Sequence, residues 1–60
     1  MTKDQDIIRD WIIKVNDEGV NLSDWERQFM ESITDQFDRK LWISDRQEEI
    51  LERIYTEKVP

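Results

Sequence analysis

The sequence has no cysteine and no histidine, and it has one glycine and one proline in 60 residues. Without cysteine and histidine the chain can form neither a disulfide bond nor a zinc site, and no imidazole can act as base for a serine nucleophile. A single glycine also excludes a glycine-rich loop around a phosphate. We therefore predict a protein that is not an enzyme and that uses no metal and no other cofactor.

Long apolar runs are also missing from the sequence. No unbroken apolar run exceeds three residues, as in 11–13 and 41–43, whereas a membrane-spanning helix needs about 20. The opening residues are polar, with no apolar run of signal-peptide length. We expect no membrane association and a cytoplasmic location.

The charge of the chain is acidic, with 15 Asp and Glu residues against 9 Lys and Arg residues and a formal net charge of −6. This balance disfavours the phosphate backbone of a nucleic acid and anionic lipid surfaces as partners. We expect no direct nucleic-acid contact and favour a protein partner, for which a basic protein has the complementary charge. Solubility alone is the alternative explanation of the acidic surface.

The apolar side chains are large enough to build a core. Hydrophobic residues make up 37% of the chain and include no alanine but eight isoleucines and three tryptophans. These residues recur with helical periodicity in three segments, at about 3–16, 24–39 and 45–58, and no segment alternates with a period of two. We predict an all-α fold, a compact three-helix mini-domain over residues 1–60, in which the second and third helices form a helical hairpin.

Each predicted helix begins with the spacing of a capping box, in which Ser or Thr is followed three residues later by Glu or Gln. The three pairs are Thr2 with Gln5, Ser23 with Glu26, and Ser44 with Gln47. Glu26 and Gln47 fall on the apolar faces, and their place in the boxes explains this without a functional role. Gly19 suits the left-handed position that often ends a helix.

The apolar face of each predicted helix spans an arc of about 140°. The residues assigned to these faces are Ile7, Ile8, Trp11, Ile12 and Val15; Trp25, Phe29, Met30, Ile33 and Phe37; and Ile50, Leu51, Ile54 and Tyr55. Ile13, Leu41 and Trp42 are among the apolar residues that lie outside these faces. Trp42 either folds back over the core as a lid or projects as an anchor of the kind that dominates binding surfaces. We predict that the three residues bind a protein partner or form the contact of a symmetric homodimer.

Residues 22–55 carry a recognisable pattern. It reads LSDWERQFMESI at 22–33 and ISDRQ at 43–47, followed by IL at 50–51 and IY at 54–55. This pattern resembles small helical domains of bacteriophage and prophage proteins. The chain departs from it at Trp42 and Ile43, where those domains carry a short polar or glycine-bearing turn and a leucine. The resemblance implies a helical fold and no defined activity.

Together these features predict a small acidic, non-catalytic protein-binding module, as a phage-type accessory or host-modulating factor in the host cytoplasm. One alternative is a DNA-mimicking inhibitor of a nucleic-acid-binding protein, in which rows of carboxylates imitate phosphates. A second alternative is a helical homodimerisation module.

Overall fold

The computed structural model describes residues 4–60. It contains three α-helices, α1 (Gln5–Glu18), α2 (Asp24–Lys40) and α3 (Asp45–Lys58). The described residues form no strand, and the predicted all-α three-helix fold is confirmed. The bounds of α3 agree with the prediction, and α2 is one residue longer than predicted. No helix within the described residues is long and apolar enough to cross a membrane.

The start of α1 differs from the prediction by two residues. Asp4 caps the helix, and its carboxylate accepts a hydrogen bond from the backbone N–H of Asp6 at 2.8 Å. Thr2, the predicted cap, lies outside the described residues. Gln5, its predicted partner, donates instead to the carbonyl oxygen of Leu41 at 3.1 Å. Asp and Thr are both good N-cap residues. Because the capping-box pattern selected Thr2, the predicted start of the helix was about half a turn too early.

The end of α1 also differs, because the helix continues to Glu18 instead of ending at residue 16. Gly19 has φ −63° and ψ 136°, which is extended backbone, so the predicted left-handed conformation is wrong. Glycine is needed there for space, since a Cβ atom would lie 2.5 Å from the carbonyl oxygen of Val15. The left-handed residues are Asn21 (φ 57°) and Leu41 (φ 60°).

Apolar side chains from all three helices form one core. Its buried members are Ile8, Ile12, Val15, Met30, Ile33, Phe37, Ile43, Leu51 and Ile54. Ile7 and Trp25, which periodicity assigned to the apolar faces, are 44% and 58% exposed. Both lie in the first turn of a helix. Ile43 takes a buried position from the connection between α2 and α3.

The helices pack with α1 and α3 parallel and α2 antiparallel to both. The start of α1 contacts the connection at 41–44 through Gln5, and the backbone N–H of Val20 bonds the carbonyl oxygen of Lys58 at the opposite end. We call these the 41–44 end and the 19–23 end of the bundle. The short hairpin connection joins α2 to α3 as expected, but α3 packs mainly against α1. Trp11 and Tyr55 stack across that interface with ring centroids 5.3 Å apart.

Candidate interaction surface

Capping boxes set the starts of α2 and α3, as the sequence predicts. The Ser23 hydroxyl accepts from the backbone N–H of Glu26 at 3.1 Å, and the Glu26 carboxylate accepts from the backbone N–H of Ser23 at 2.7 Å. Ser44 and Gln47 make the same pair of bonds at 3.1 and 2.8 Å. These bonds confirm the structural interpretation of Glu26 and Gln47.

Three glutamine side chains hold the connection at the 41–44 end, and we call them the glutamine clamp. The side-chain amides of Gln36 and Gln47 donate to each other at 3.1 Å in both directions. Gln36 also donates to the carbonyl oxygen of Trp42 at 3.4 Å, and Gln5 donates to that of Leu41. Each helix thus contributes one side chain that restrains this segment.

Leu41 and Trp42 point apolar side chains out of this restrained connection. Leu41 is 44% exposed and Trp42 is 52% exposed, whereas the next residue, Ile43, is 2% exposed. Of the two sequence-based interpretations of Trp42, the exposed anchor fits this position better than the lid, because Ile43 fills the core at this place. The connection therefore presents two neighbouring apolar side chains on a hydrogen-bonded backbone.

Ile13, the third predicted binding residue, lies elsewhere. It is 50% exposed and lines a groove of about 200 Å³ between α1 and α2, together with Phe37 and Asp38. Ile13 is eight residues along α1 from Gln5, the residue that meets Leu41, which corresponds to about 12 Å of helix. The structure divides the three predicted residues between two places, the connection and the groove.

A charged contact closes the 19–23 end. The Glu26 carboxylate lies 3.8 Å from the Lys58 ammonium group, which also donates to the carbonyl oxygen of Asn21 at 3.3 Å. The hydrogen bond from the Ser23 backbone N–H, together with the charge of Lys58, lowers the pKa of Glu26, although burial opposes this shift. A carboxylate held in its charged form by a helix cap is suited to a structural role rather than to proton transfer.

The burial of Glu48 and the exposure of Trp25 were not predicted. Glu48 is 6% exposed, and its spacing of three residues before Leu51 is the signal that places it near the core. Trp25 projects beside the Ser23 cap and stacks on Phe29 with ring centroids 5.4 Å apart. The position of Trp25 in the first turn of α2 is the signal for its exposure.

The described residues contain no group of three His, Cys, Asp or Glu side chains arranged to hold a metal ion. Comparisons with protein-family models, with curated proteins and with solved structures give no match. The resemblance to phage domains therefore stays a prediction, and function must be inferred from the surface of this chain.

Proposed function

We propose that this chain is a non-catalytic protein-binding module that acts as a phage-type accessory or host-modulating factor in the cytoplasm of the host cell. Trp42 is its anchor and Leu41 is the neighbouring contact. The observation that carries the proposal is the pair of exposed apolar side chains on a connection restrained by the glutamine clamp. A tryptophan held in place before binding loses little conformational freedom when it enters a pocket of the partner.

The backbone of Leu41 supports this role. Its φ of 60° and ψ of 25° place it in the left-handed region at the end of α2, a position that glycine usually occupies. A residue with a Cβ atom loses about 1–2 kcal/mol in this conformation. The Leu41 side chain is 44% exposed, so part of its apolar surface stays available to a partner. A contact with a partner supplies a reason for leucine at this position.

Charge favours a basic partner. A net charge of −6 attracts a positively charged protein and speeds its association, while the apolar anchor contributes most of the binding energy. Three of the 15 acidic residues also form an ion pair with a cation on the same helix within the described part of the chain. The pairs are Asp6 with Arg9 at 3.7 Å, Asp10 with Lys14 at 3.5 Å and Asp35 with Arg39 at 3.1 Å. Such neutralised pairs suit a protein-binding surface better than a row of phosphate mimics.

The proposal is tested by capture from an extract of the native cell. The immobilised full chain is compared with Trp42→Ala and with Trp25→Ala, which removes a tryptophan of similar exposure at the other end of the bundle. We expect a basic protein that the parent and Trp25→Ala retain and that Trp42→Ala loses. With the purified partner, Trp42→Ala should bind about tenfold or more weakly while its melting temperature stays close to that of the parent.

Other outcomes would contradict the proposal. Equal capture by the parent and Trp42→Ala would show that Trp42 is not the anchor. Unfolding of Trp42→Ala would assign this side chain to the fold. A parent that sediments as a dimer and a Trp42→Ala variant that sediments as a monomer would indicate the homodimerisation module. A partner complex that weakens by orders of magnitude between low and physiological salt, without dependence on Trp42, would indicate the DNA mimic.

A further inference from the structure

The groove between α1 and α2 is a second surface, independent of the Trp42 connection. Phe37 and Ile12, which are 4% and 5% exposed, form its floor, and the half-exposed Ile13 forms one wall. Asn16 of α1 donates to the Thr34 hydroxyl of α2 at 3.1 Å and bridges the groove. The groove measures about 200 Å³, which is less than the roughly 300–1,000 Å³ of most small-molecule sites.

Carboxylates border this groove on the α2 side. The groove continues into an open depression of about 330 Å³ lined by Glu31, Asp35 and Asp38, which lie on one face of α2 at a spacing of four and three residues. Asp35 pairs with Arg39. Within residues 4–60, Glu31 and Asp38 make no ion pair.

On the α1 side the groove is lined by Arg9, Ile12, Ile13 and Asn16. A cation of the chain already occupies part of the groove, since the Arg9 guanidinium lies 5.7 Å from the centroid of the Phe37 ring. An apolar floor with an acidic border on α2 is complementary to a helix that has an apolar stripe and a basic flank.

We infer that this groove binds a basic amphipathic helix of a partner protein. An apolar side chain of that helix packs between Ile13 and Phe37, and its Lys or Arg residues lie near Glu31 and Asp38. The inference goes beyond the proposed function, because the groove requires neither Trp42 nor Leu41. The two surfaces can therefore be tested, and can fail, separately.

The test uses the isotopically labelled full chain and a synthetic amphipathic peptide of about 14 residues, roughly four helical turns, with leucines on one face and lysines on the others. Binding is followed by the amide shifts in NMR spectra. We expect shifts concentrated at Ile13, Asn16, Thr34 and Asp38, with the indole N–H of Trp42 unchanged. A peptide of the same composition in shuffled order, which has no apolar face, should bind at least about tenfold more weakly.

Matched variants of the chain separate specific docking from simple charge attraction. Ile13→Ser should weaken binding about tenfold, whereas Ile7→Ser, which changes another half-exposed isoleucine of α1, should leave it unchanged. A double change of Glu31 and Asp38 to their amides should weaken binding more than the same charge removed from α3 by Glu52→Gln and Glu57→Gln. Shifts spread over the whole surface, equal binding of the shuffled peptide, or equal losses in the control variants would overturn the inference. Peptide binding that persists in Trp42→Ala would support the inference about the groove, whether or not Trp42 proves to be the anchor of the proposed function.

Discussion

The two capping boxes offer a test of what charge contributes at a helix start. The boxes have the same hydrogen bonds, but α2 uses the acid Glu26 where α3 uses the amide Gln47. We expect Glu26→Gln to preserve the box, because Gln47 already makes it with Ser44 at 2.8 Å. The variant removes the negative charge and with it the contact to Lys58.

The size of the effect follows from the bonds that change. A hydrogen bond to a charged group contributes about 1.5–3 kcal/mol and a neutral one about 0.5–1.5 kcal/mol. The Glu26 side chain is 17% exposed, so we take the lower part of the difference, about 1 kcal/mol at neutral pH. The contact to Lys58, at 3.8 Å, adds at most a few tenths of a kcal/mol. In a domain of this size about 1 kcal/mol corresponds to a melting temperature roughly 4–8 °C lower.

The effect should depend on pH in a defined direction. The hydrogen bond from the Ser23 backbone, and then the charge of Lys58, lower the pKa of Glu26 in the folded chain. A carboxyl group with a lowered folded pKa stabilises the fold above its unfolded pKa, about 4.3, and this contribution is lost as the pH falls through the lowered value. Because the variant has no carboxyl at this position, its stability should approach that of the parent as the pH falls below about 4.

Thermal unfolding followed by circular dichroism between pH 7 and pH 2.5 measures this difference. Glu52→Gln is the control, because it removes the same charge from an exposed position on α3 and reports the general effect of net charge. We expect a gap between Glu26→Gln and the parent at neutral pH that closes in acid, and no such pattern for Glu52→Gln. A gap that stays constant with pH, or no gap at pH 7, would refute the electrostatic reasoning.

Three further stability predictions use the same assay. Ser23→Ala and Ser44→Ala should each lower the stability by about 1 kcal/mol, since each removes an N-cap, and unchanged melting of both would contradict the assigned helix starts. Leu41→Gly should raise the melting temperature by a few degrees, because glycine adopts the left-handed conformation without steric cost, and a lower melting temperature would show that the leucine side chain stabilises the fold. Gly19→Ala should lower the melting temperature by several degrees, because the new Cβ atom would lie 2.5 Å from the Val15 carbonyl oxygen, and parent-like melting would mean that the turn relaxes readily.

The sequence predicts the starts of α2 and α3 because a capping box is a local arrangement. Ser23 and Ser44 each bond a backbone group three residues away, and no distant part of the chain is needed to form those bonds. The start of α1 offers two competent caps within three residues, Thr2 and Asp4, and local pattern does not choose between them. Gly19 illustrates the same limit, since glycine serves both left-handed turns and close backbone approaches.

The candidate site depends on features that periodicity does not contain. The sequence identifies Ile13 and Trp42 as apolar residues outside the helix faces. Whether they lie together or apart in the folded chain depends on which helix packs beside α1. Ile43 and Trp42 are adjacent in a connection, and the path of that connection decides which of them enters the core. The acidic border of the groove lies on α2, and its place beside Ile13 of α1 could not be assigned before the packing of the two helices was known.

The two ends of the bundle are held by bonds of different chemistry, and this difference determines the order in which they open. The glutamine clamp at the 41–44 end is uncharged, so neither acid nor salt weakens it directly. The 19–23 end relies in part on Glu26 and Lys58, whose contact is lost when the carboxylate is protonated or screened. Acid should therefore fray the molecule from the 19–23 end, with faster hydrogen exchange there, while the segment that carries Trp42 keeps its protection.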